Sequence, residues 1–443
     1  MPELDTVMLS RLLTAMTLAF HIIFATLGVG VPLLISGAEW IGIRRNDDHY
    51  RLLARRWTRG FVVTVAVGVV TGTCIGLQLS LLWPSFMEVA GQVIGLPLFL
   101  ETFAFFFEAI FLGIYLYTWD RFKNPYYHWL LSVPVVIGST ASAFFITTVN
   151  AFMNAPRGFE LKNGELVDIQ PLIAMFNPAT PTKASHVIST AYMTAAFVLA
   201  AITAFLILRK GKSDYYKKAL HFTMLTGFVF AVATAIIGDF SGKYLAEYQP
   251  EKLAAAEWHF ETERGADLIV GGILSEEGEI EYALRIPNGL SYLAHGDLNS
   301  EVIGLEEFPE DETAPLFIHY LFDLMVGIGM FLVVLSGLYL LLVKWRRGNA
   351  YWKPLLWAVV ASGPLAVLAI EAGWIFSEIG RQPWILWHVM KTADGATTSE
   401  HVGAMFILFA ALYAVLGTIC TTVLLKMFRK YPAETEFEQM KQG

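Results

Sequence analysis

Residues 96–117 read LPLFLETFAFFFEAIFLGIYLY, an apolar run in which Glu101, Thr102 and Glu108 are the only polar side chains apart from two tyrosines. A helix crosses the roughly 30 Å hydrocarbon layer of a membrane with about 20 apolar residues. No water is present there to satisfy peptide groups, so a continuous run of this kind must bond to itself as a helix. Working outward, nine stretches qualify as spans: 12–36, 61–82, 93–117, 129–152, 187–208, 220–240, 315–343, 355–376 and 402–428. The expected fold is therefore an all-α polytopic membrane protein of about nine transmembrane helices.

Composition agrees. Hydrophobic residues make up 55% of the 443 and charged residues 16%, against about 25% charged in an ordinary soluble protein; mean hydropathy is +0.53. Segment 242–314 carries 17 acidic and 4 basic residues, a net of -13, while the whole chain has -8, so everything outside it sums to +5. Such a balance argues against nucleic-acid binding, disorder and a secreted disulfide scaffold. The two cysteines, Cys74 and Cys420, lie in separate apolar runs and are not expected to pair, and no C-x-x-C-H haem attachment occurs. The acidic start MPELDTV and the long first run read as a retained span rather than a secretion signal.

Lysine and arginine placement sets the orientation. Arg44, Arg45, Arg51, Arg55, Arg56 and Arg59 fill the first connection, and basic residues recur at Arg121 and Lys123, at Arg209, Lys210, Lys212, Lys217 and Lys218, and at Lys344, Arg346, Arg347 and Lys353. Lys426, Arg429 and Lys430 end the last span. All fall on one side, read as cytoplasmic, with the amino terminus and the acidic segment outside and the carboxyl terminus inside. The organisation expected is helices one to six over 1–241, an extracytoplasmic acidic loop over 242–314, and helices seven to nine with a short cytoplasmic tail over 315–443. Gly68, Gly72 and Gly76 form a small-residue ridge suited to close helix contact. The stretch ILSEEGEIEYALRIP of the acidic segment reads as a short hairpin.

Ionisable groups inside a membrane cost roughly 2.5–3.5 kcal/mol each on insertion scales, so each needs an explanation. His21 lies near the middle of the first span and His186 at the outward end of the fifth. His21 reads equally as a histidine bonded to a neighbouring helix or as an iron ligand, since neutral imidazole binds metal through one nitrogen while a second partner orients the other. His186, taken alone, reads as a structural interfacial histidine before it reads as a ligand. Met325, in HYLFDLMVGIGMF, is by type core filler, although a His/Met pair also makes a low-spin haem for electron transfer. Glu101 and Glu108 are seven residues apart, on one helix face and about 10.5 Å apart along the axis. They read as a proton relay or as two carboxyls bonded to other helices. Glu371 and Glu378 repeat the spacing, and Glu378 at the helix end reads as a cap, a relay member or an iron ligand.

The stretch from Glu371 to Trp384, EAGWIFSEIGRQPW, narrows these choices. E-x-G-W-x-x-x-E-x-G-R-Q-P-W resembles the signature of subunit I of the cytochrome bd quinol oxidases, and the similarity runs along almost the whole chain. The outer acidic segment resembles the family's quinol loop in its short form. The resemblance implies His186 and Met325 as axial ligands of a low-spin haem b. It implies His21 and Glu378 as ligands serving a high-spin haem b and a haem d, without fixing which serves which. It further implies Lys252 and Glu257, in EKLAAAEWHFE, in quinol oxidation, and Glu101 and Glu108 in proton delivery. Arg381 is expected to balance haem propionates, with Trp374 and Gln382 of the same motif as further cofactor contacts. Relatives can carry an arginine two residues before the ligating methionine; this chain has Asp323 there, which would lower the potential of the low-spin haem and suit menaquinol. The implied protein is a quinol:oxygen oxidoreductase of a bacterial or archaeal cell membrane, generating proton-motive force without pumping. Its implied partners are a second large subunit and a small single-helix one. Two other classes are weighed against it: an ion-coupled secondary transporter, disfavoured by nine spans without a repeat, and a b-haem electron-transfer subunit without oxygen chemistry.

Overall fold

The computed structural model describes residues 5–162, 165–275, 278–345 and 349–442. Residues 1–4 of the acidic start, Glu276 and Glu277 of the hairpin stretch, and Arg346 and Arg347 of the basic set lie outside the described residues. In chain order the helices are α1 (Thr6–Arg44), α2 (Asp48–Leu82), α3 (Pro84–Tyr117), α4 (Pro125–Asn154), α5 (Pro171–Met175), α6 (Thr180–Lys210), α7 (Asp214–Tyr248), α8 (Pro250–Glu257), α9 (Gly289–His295), α10 (Ile318–Trp345), α11 (Lys353–Ile379), α12 (Thr392–Gly395), α13 (Val402–Lys430) and α14 (Ala433–Gln442). Among the described residues nine of these, α1–α4, α6, α7, α10, α11 and α13, are long and apolar enough to span a membrane.

Most spanning helices outrun the apolar stretches, and at the starts of α2 and α4 a polar cap lies beyond the apolar run. Asp47 accepts from the His49 N–H at 3.1 Å to start α2, and Asn124 accepts from the Tyr126 N–H at 3.0 Å to start α4, with Pro125 in the first turn. The seventh span differs in the other direction: its helix begins at Ile318, so residues 315–317 precede it. Pro97, inside the stretch quoted first, does not interrupt α3.

Helices α6, α7, α10 and α11 share one core, in which Phe197, Leu220, Leu332 and Val359 are fully buried. A second group, α1–α4, packs α1 on α2 and α4, and α3 on α4. The joint between the groups is α6, which touches α1 and α4 on one side and α7 and α11 on the other. It is the most enclosed of the nine, with 67% of its apolar window buried against 17% for α13. Phe99, Phe103 and Phe106 instead point away from the chain, 60–66% exposed, as expected of a surface that meets lipid or another subunit. The glycine ridge of α2 is used at two positions: a Cβ at Gly68 would meet Phe24 and one at Gly72 would meet His21, whereas Gly76 faces open space.

The acidic segment folds against the end of the bundle where α6 and α10 begin and α7 and α11 finish. The short helix α8 is buried from Glu251 to Glu257. The hairpin expected in this segment forms, Ile273–Leu274 pairing antiparallel with Ile280–Glu281 and Leu268–Val270 with Leu284–Ile286. Both cysteines are free.

Candidate functional site

His186 lies in the second turn of α6 and Met325 in the second turn of α10, and both helices begin at the loop end. The two side chains therefore enter one four-helix group from similar depths. Each faces a glycine. A Cβ at Gly373 of α11 would come 2.8 Å from the Met325 sulfur, and one at Gly238 of α7 would come 3.9 Å from His186 Cε1. His186 Nδ1 is buried without a protein partner. His21 sits apart from this pair, between α1 and α2, and its Nδ1 meets Thr71 Oγ1 at 2.9 Å. The Thr71 hydroxyl donates to Val67 O at 2.9 Å, so its oxygen accepts from His21 Nδ1–H and leaves the other ring nitrogen as the basic one.

Glu378, at the end of α11, joins a compact polar cluster. One oxygen accepts from Arg381 Nη2 at 2.7 Å and the other from Asn150 Nδ2 of α4. Asn150 Oδ1 accepts from Lys183 Nζ of α6 at 3.2 Å, and Lys183 also donates to Ser377 Oγ at 3.2 Å. Lys252 reaches in from α8, donating to Ser377 O at 3.1 Å and lying 4.9 Å over the Phe376 ring. Burial, then the neighbouring Lys183 and Arg381 cations, hold the Lys252 ammonium well below the usual lysine range, against the opposing pull of Glu378. Three basic side chains thus surround one carboxylate, and Arg381 Nη1 is buried with no partner. Uncompensated charge in such a place costs several kcal/mol per ion unless an anionic group joins it. Gln382 is used locally, accepting from Thr392 Oγ1 at 2.9 Å to fix the turn after the motif. Trp374 is half-buried beside Gly373.

Lys252 and Glu257 share α8 but serve different surroundings. Glu257 is fully enclosed and neither of its oxygens has a protein partner. Burial, then the nearby Asp323 carboxylate, push its carboxyl well above the usual range. Asp323 accepts from the Gly271 N–H of the loop and lies 3.3 Å from His319 Nε2. His319 in turn stacks on Trp258, ring centroids 4.0 Å apart. The departure noticed in the sequence, an aspartate before Met325, is therefore a tether between α10 and the loop. On α3 the shared face of Glu101 and Glu108 is real: Glu101 accepts from Ser142 Oγ of α4 at 3.0 Å, and Glu108 packs on Gly138, whose Cβ would come 2.8 Å from that of Glu108.

Sequence reasoning did not single out Lys183, Asn150 or Ser377. Lys183 near the start of α6 reads as an interfacial lysine, and only the fold turns it onto α4 and α11. The one available signal was its place three residues before His186, on the same helix face.

The profile of the cytochrome bd terminal oxidase subunit I family matches residues 9–432. The chain belongs to the cytochrome bd terminal oxidase subunit I family. It is similar over 438 residues, at 43% identity, to a cytochrome bd menaquinol oxidase subunit I of Bacillus subtilis (strain 168), covering 98% of this chain and 99% of that one. A cytochrome bd ubiquinol oxidase subunit 1 of the same organism is 31% identical, with 96% and 94% covered. The solved bd oxidase from Geobacillus thermodenitrificans has 63% identity and a TM-score of 0.94, covering 98% of this chain and all of the matched one. Cytochrome bd oxidases are quinol:oxygen oxidoreductases of the bacterial cytoplasmic membrane, and this chain is the multi-span haem subunit of one, working with a subunit II.

The residues present fit haem. Imidazole and thioether are donor types that bind porphyrin iron, and His21, His186 and Met325 carry them within the bundle. His186 Nδ1 is buried without a protein partner, Gly373 makes room for the Met325 sulfur, and the unpartnered Arg381 nitrogen suits a cofactor carboxylate.

Proposed function

We propose that quinol is oxidised at the loop end of the bundle while dioxygen is reduced with protons drawn from the basic end. The lysine and arginine distribution supports placing the basic end and the carboxyl terminus in the cytoplasm, and the amino terminus and the 242–314 loop outside. The observation that carries the reading is that His186 and Met325 enter one four-helix group near its loop end, each opposite a glycine, at the end of the bundle that also holds the polar cluster around Glu378.

Two haem b and one haem d would supply the electron-transfer and oxygen-reducing chemistry. His186 and Met325 would hold the low-spin haem b, and His21 and Glu378 the other two. Arg381 and Lys183 would pair with cofactor carboxylates, a guanidinium matching a carboxylate through two parallel donors. Trp374 and Gln382 would complete the contacts along the motif.

Glu257 has the character of a proton acceptor for quinol: when ionised, a carboxyl whose pKa is raised by burial is a stronger base. Lys252, on the same short helix, would orient the substrate oxygen. On the opposite half-reaction Glu108 and then Glu101 would hold the incoming proton, with the Ser142 hydroxyl as the neighbour of Glu101. Separation of charge then needs no pump, because the two half-reactions exchange protons with opposite sides. Menaquinol is favoured as substrate, in keeping with the 43% identical relative, and a small single-helix subunit would complete the assembly.

The test is a proteoliposome assay on the purified complex with a pH dye on each side. Quinol-driven turnover should acidify the loop side and consume protons on the basic side. Release and uptake on the same side would reject the reading.

A further inference from the structure

Below Glu108, toward the basic end, α1, α3 and α4 enclose a polar triad to which nothing so far gives a role. Tyr115 continues the spacing of seven that relates Glu101 to Glu108, so all three lie on one face of α3. Its hydroxyl donates to Glu39 Oε2 of α1 at 2.6 Å. His128 Nδ1 of α4 meets Glu39 Oε1 at 2.6 Å, and His128 Nε2 meets the Tyr115 carbonyl at 2.9 Å. Tyr115, Glu39 and His128 are 1%, 4% and 6% exposed, close to the ends of α3, α1 and α4. The surroundings contain few charges. Thr58 of α2 lies beside the Tyr115 hydroxyl. The Trp119 ring covers His128 at 4.5 Å, and beyond it Arg55 is paired with Asp120 at 3.0 Å.

The hydrogen-bond pattern counts protons. A carbonyl oxygen only accepts, so His128 Nε2 carries hydrogen. The short Nδ1–Oε1 bond must then hold one more proton, belonging to the imidazole or to the carboxyl. Either assignment leaves the pair neutral overall, which removes the cost of a buried unpaired charge. From the triad the polar face continues. Ser132 and Ser36 are bonded to each other at 2.8 Å, and Trp129 Nε1 donates to Ser36 Oγ at 3.1 Å. His128, Ser132, Ser139 and Ser142 occupy one stripe of α4, in steps of four, seven and three residues. That stripe runs past Gly138, on which Glu108 rests, to the Ser142 hydroxyl that bonds Glu101.

We propose that the His128–Glu39 pair is the proton-loading site for the α3 carboxylates. The proton shared between Nδ1 and Oε1 leaves toward Ser132, Ser36 and Glu108, and one from water at the basic end replaces it. One proton enters for each that moves on, and only N–H and O–H bonds are exchanged. Tyr115 keeps its proton and fixes the second oxygen of Glu39. The proposal rests on Glu108 and Glu101 carrying protons, as argued above.

The experiment uses the complete complex in proteoliposomes, measuring proton uptake and turnover with haem spectra as the control for assembly. Glu39→Gln preserves size and can still bond both neighbours, but has no exchangeable acid proton. Glu39→Gln and His128→Gln should each slow uptake on the order of tenfold or more, as loss of a positioned proton carrier does, with a larger solvent isotope effect and unchanged haem. Tyr115→Phe should stay within about twofold, far less than loss of a proton carrier. Uptake at the native rate in both Glu39→Gln and His128→Gln, alongside a slow Glu108→Gln, would overturn this inference alone. A Glu108→Gln complex at the native rate would overturn the relay, and the inference with it. Loss of haem from both triad variants, or equal slowing by Tyr115→Phe, would assign the triad to packing and also overturn it.

Discussion

Replacing Gly373 by alanine tests the cofactor reading at one methyl group. The added Cβ would lie 2.8 Å from the Met325 sulfur, whereas non-bonded heavy atoms settle at about 3.5–4.0 Å. The sulfur must therefore retreat by roughly 1 Å. The energetic consequence is small. Crowding a packed site costs about 1–3 kcal/mol, and alanine in a helix interior recovers about 1 kcal/mol relative to glycine. The variant should fold and assemble, yet its thioether should be displaced from an axial donor position. We expect the low-spin haem spectrum to be lost or converted to a high-spin form, with quinol oxidation falling in step, while the other haem signals persist. Gly238→Ala is the control: its Cβ would meet His186 at an ordinary 3.9 Å, and the low-spin signal should survive. Redox titration with visible and EPR spectra gives the readout. A Gly373→Ala complex with native low-spin spectrum and potential would refute the assignment of Met325.

Further outcomes follow from the polar clusters. Lys183→Met removes one of the three basic side chains around Glu378, so haem should be retained less firmly although the chain still folds, checked by haem-to-protein ratio after washing; unchanged retention would remove Lys183 from the cofactor site. Asp323→Asn keeps an acceptor for the Gly271 N–H but drops the charge two residues from Met325, so the low-spin midpoint should rise; a titration showing no rise would contradict this. Glu257 binds a proton more tightly in the folded chain than in the unfolded one, so its contribution to stability should decline as pH climbs above the usual carboxyl value of 4.5 toward the raised value. Melting curves should accordingly show Glu257→Gln gaining on the native complex as pH rises through that window, while quinol oxidation slows; parallel curves would show that the carboxyl is not held neutral.

How much of this could be read from the chain depends on how local each signal is. Spans such as Pro84–Tyr117 are legible because membrane crossing demands a contiguous apolar run, and among the ends that shift, those of α2 and α4 move outward to the caps Asp47 and Asn124. Spacing likewise placed Glu101 and Glu108 on one face, since helical period alone decides that. The Glu378 cluster was half legible: Arg381 lies three residues away in sequence, but Lys183, Asn150 and Lys252 come from three other helices. Glu39, Tyr115 and His128 were invisible for the same reason, each reading alone as an interfacial residue near a helix end. Gly373 shows the opposite case. The motif includes it, but only packing shows that its missing Cβ makes room for a sulfur on α10.

The most direct test of the central claim is a pyridine-haemochrome determination on the purified complex, quantified per copy of this chain. The expected result is b and d haems in a ratio of two to one, with the long-wavelength chlorin band of haem d in the native spectrum. Protein that assembles with its partner yet carries no haem d, or no haem at all, would contradict it.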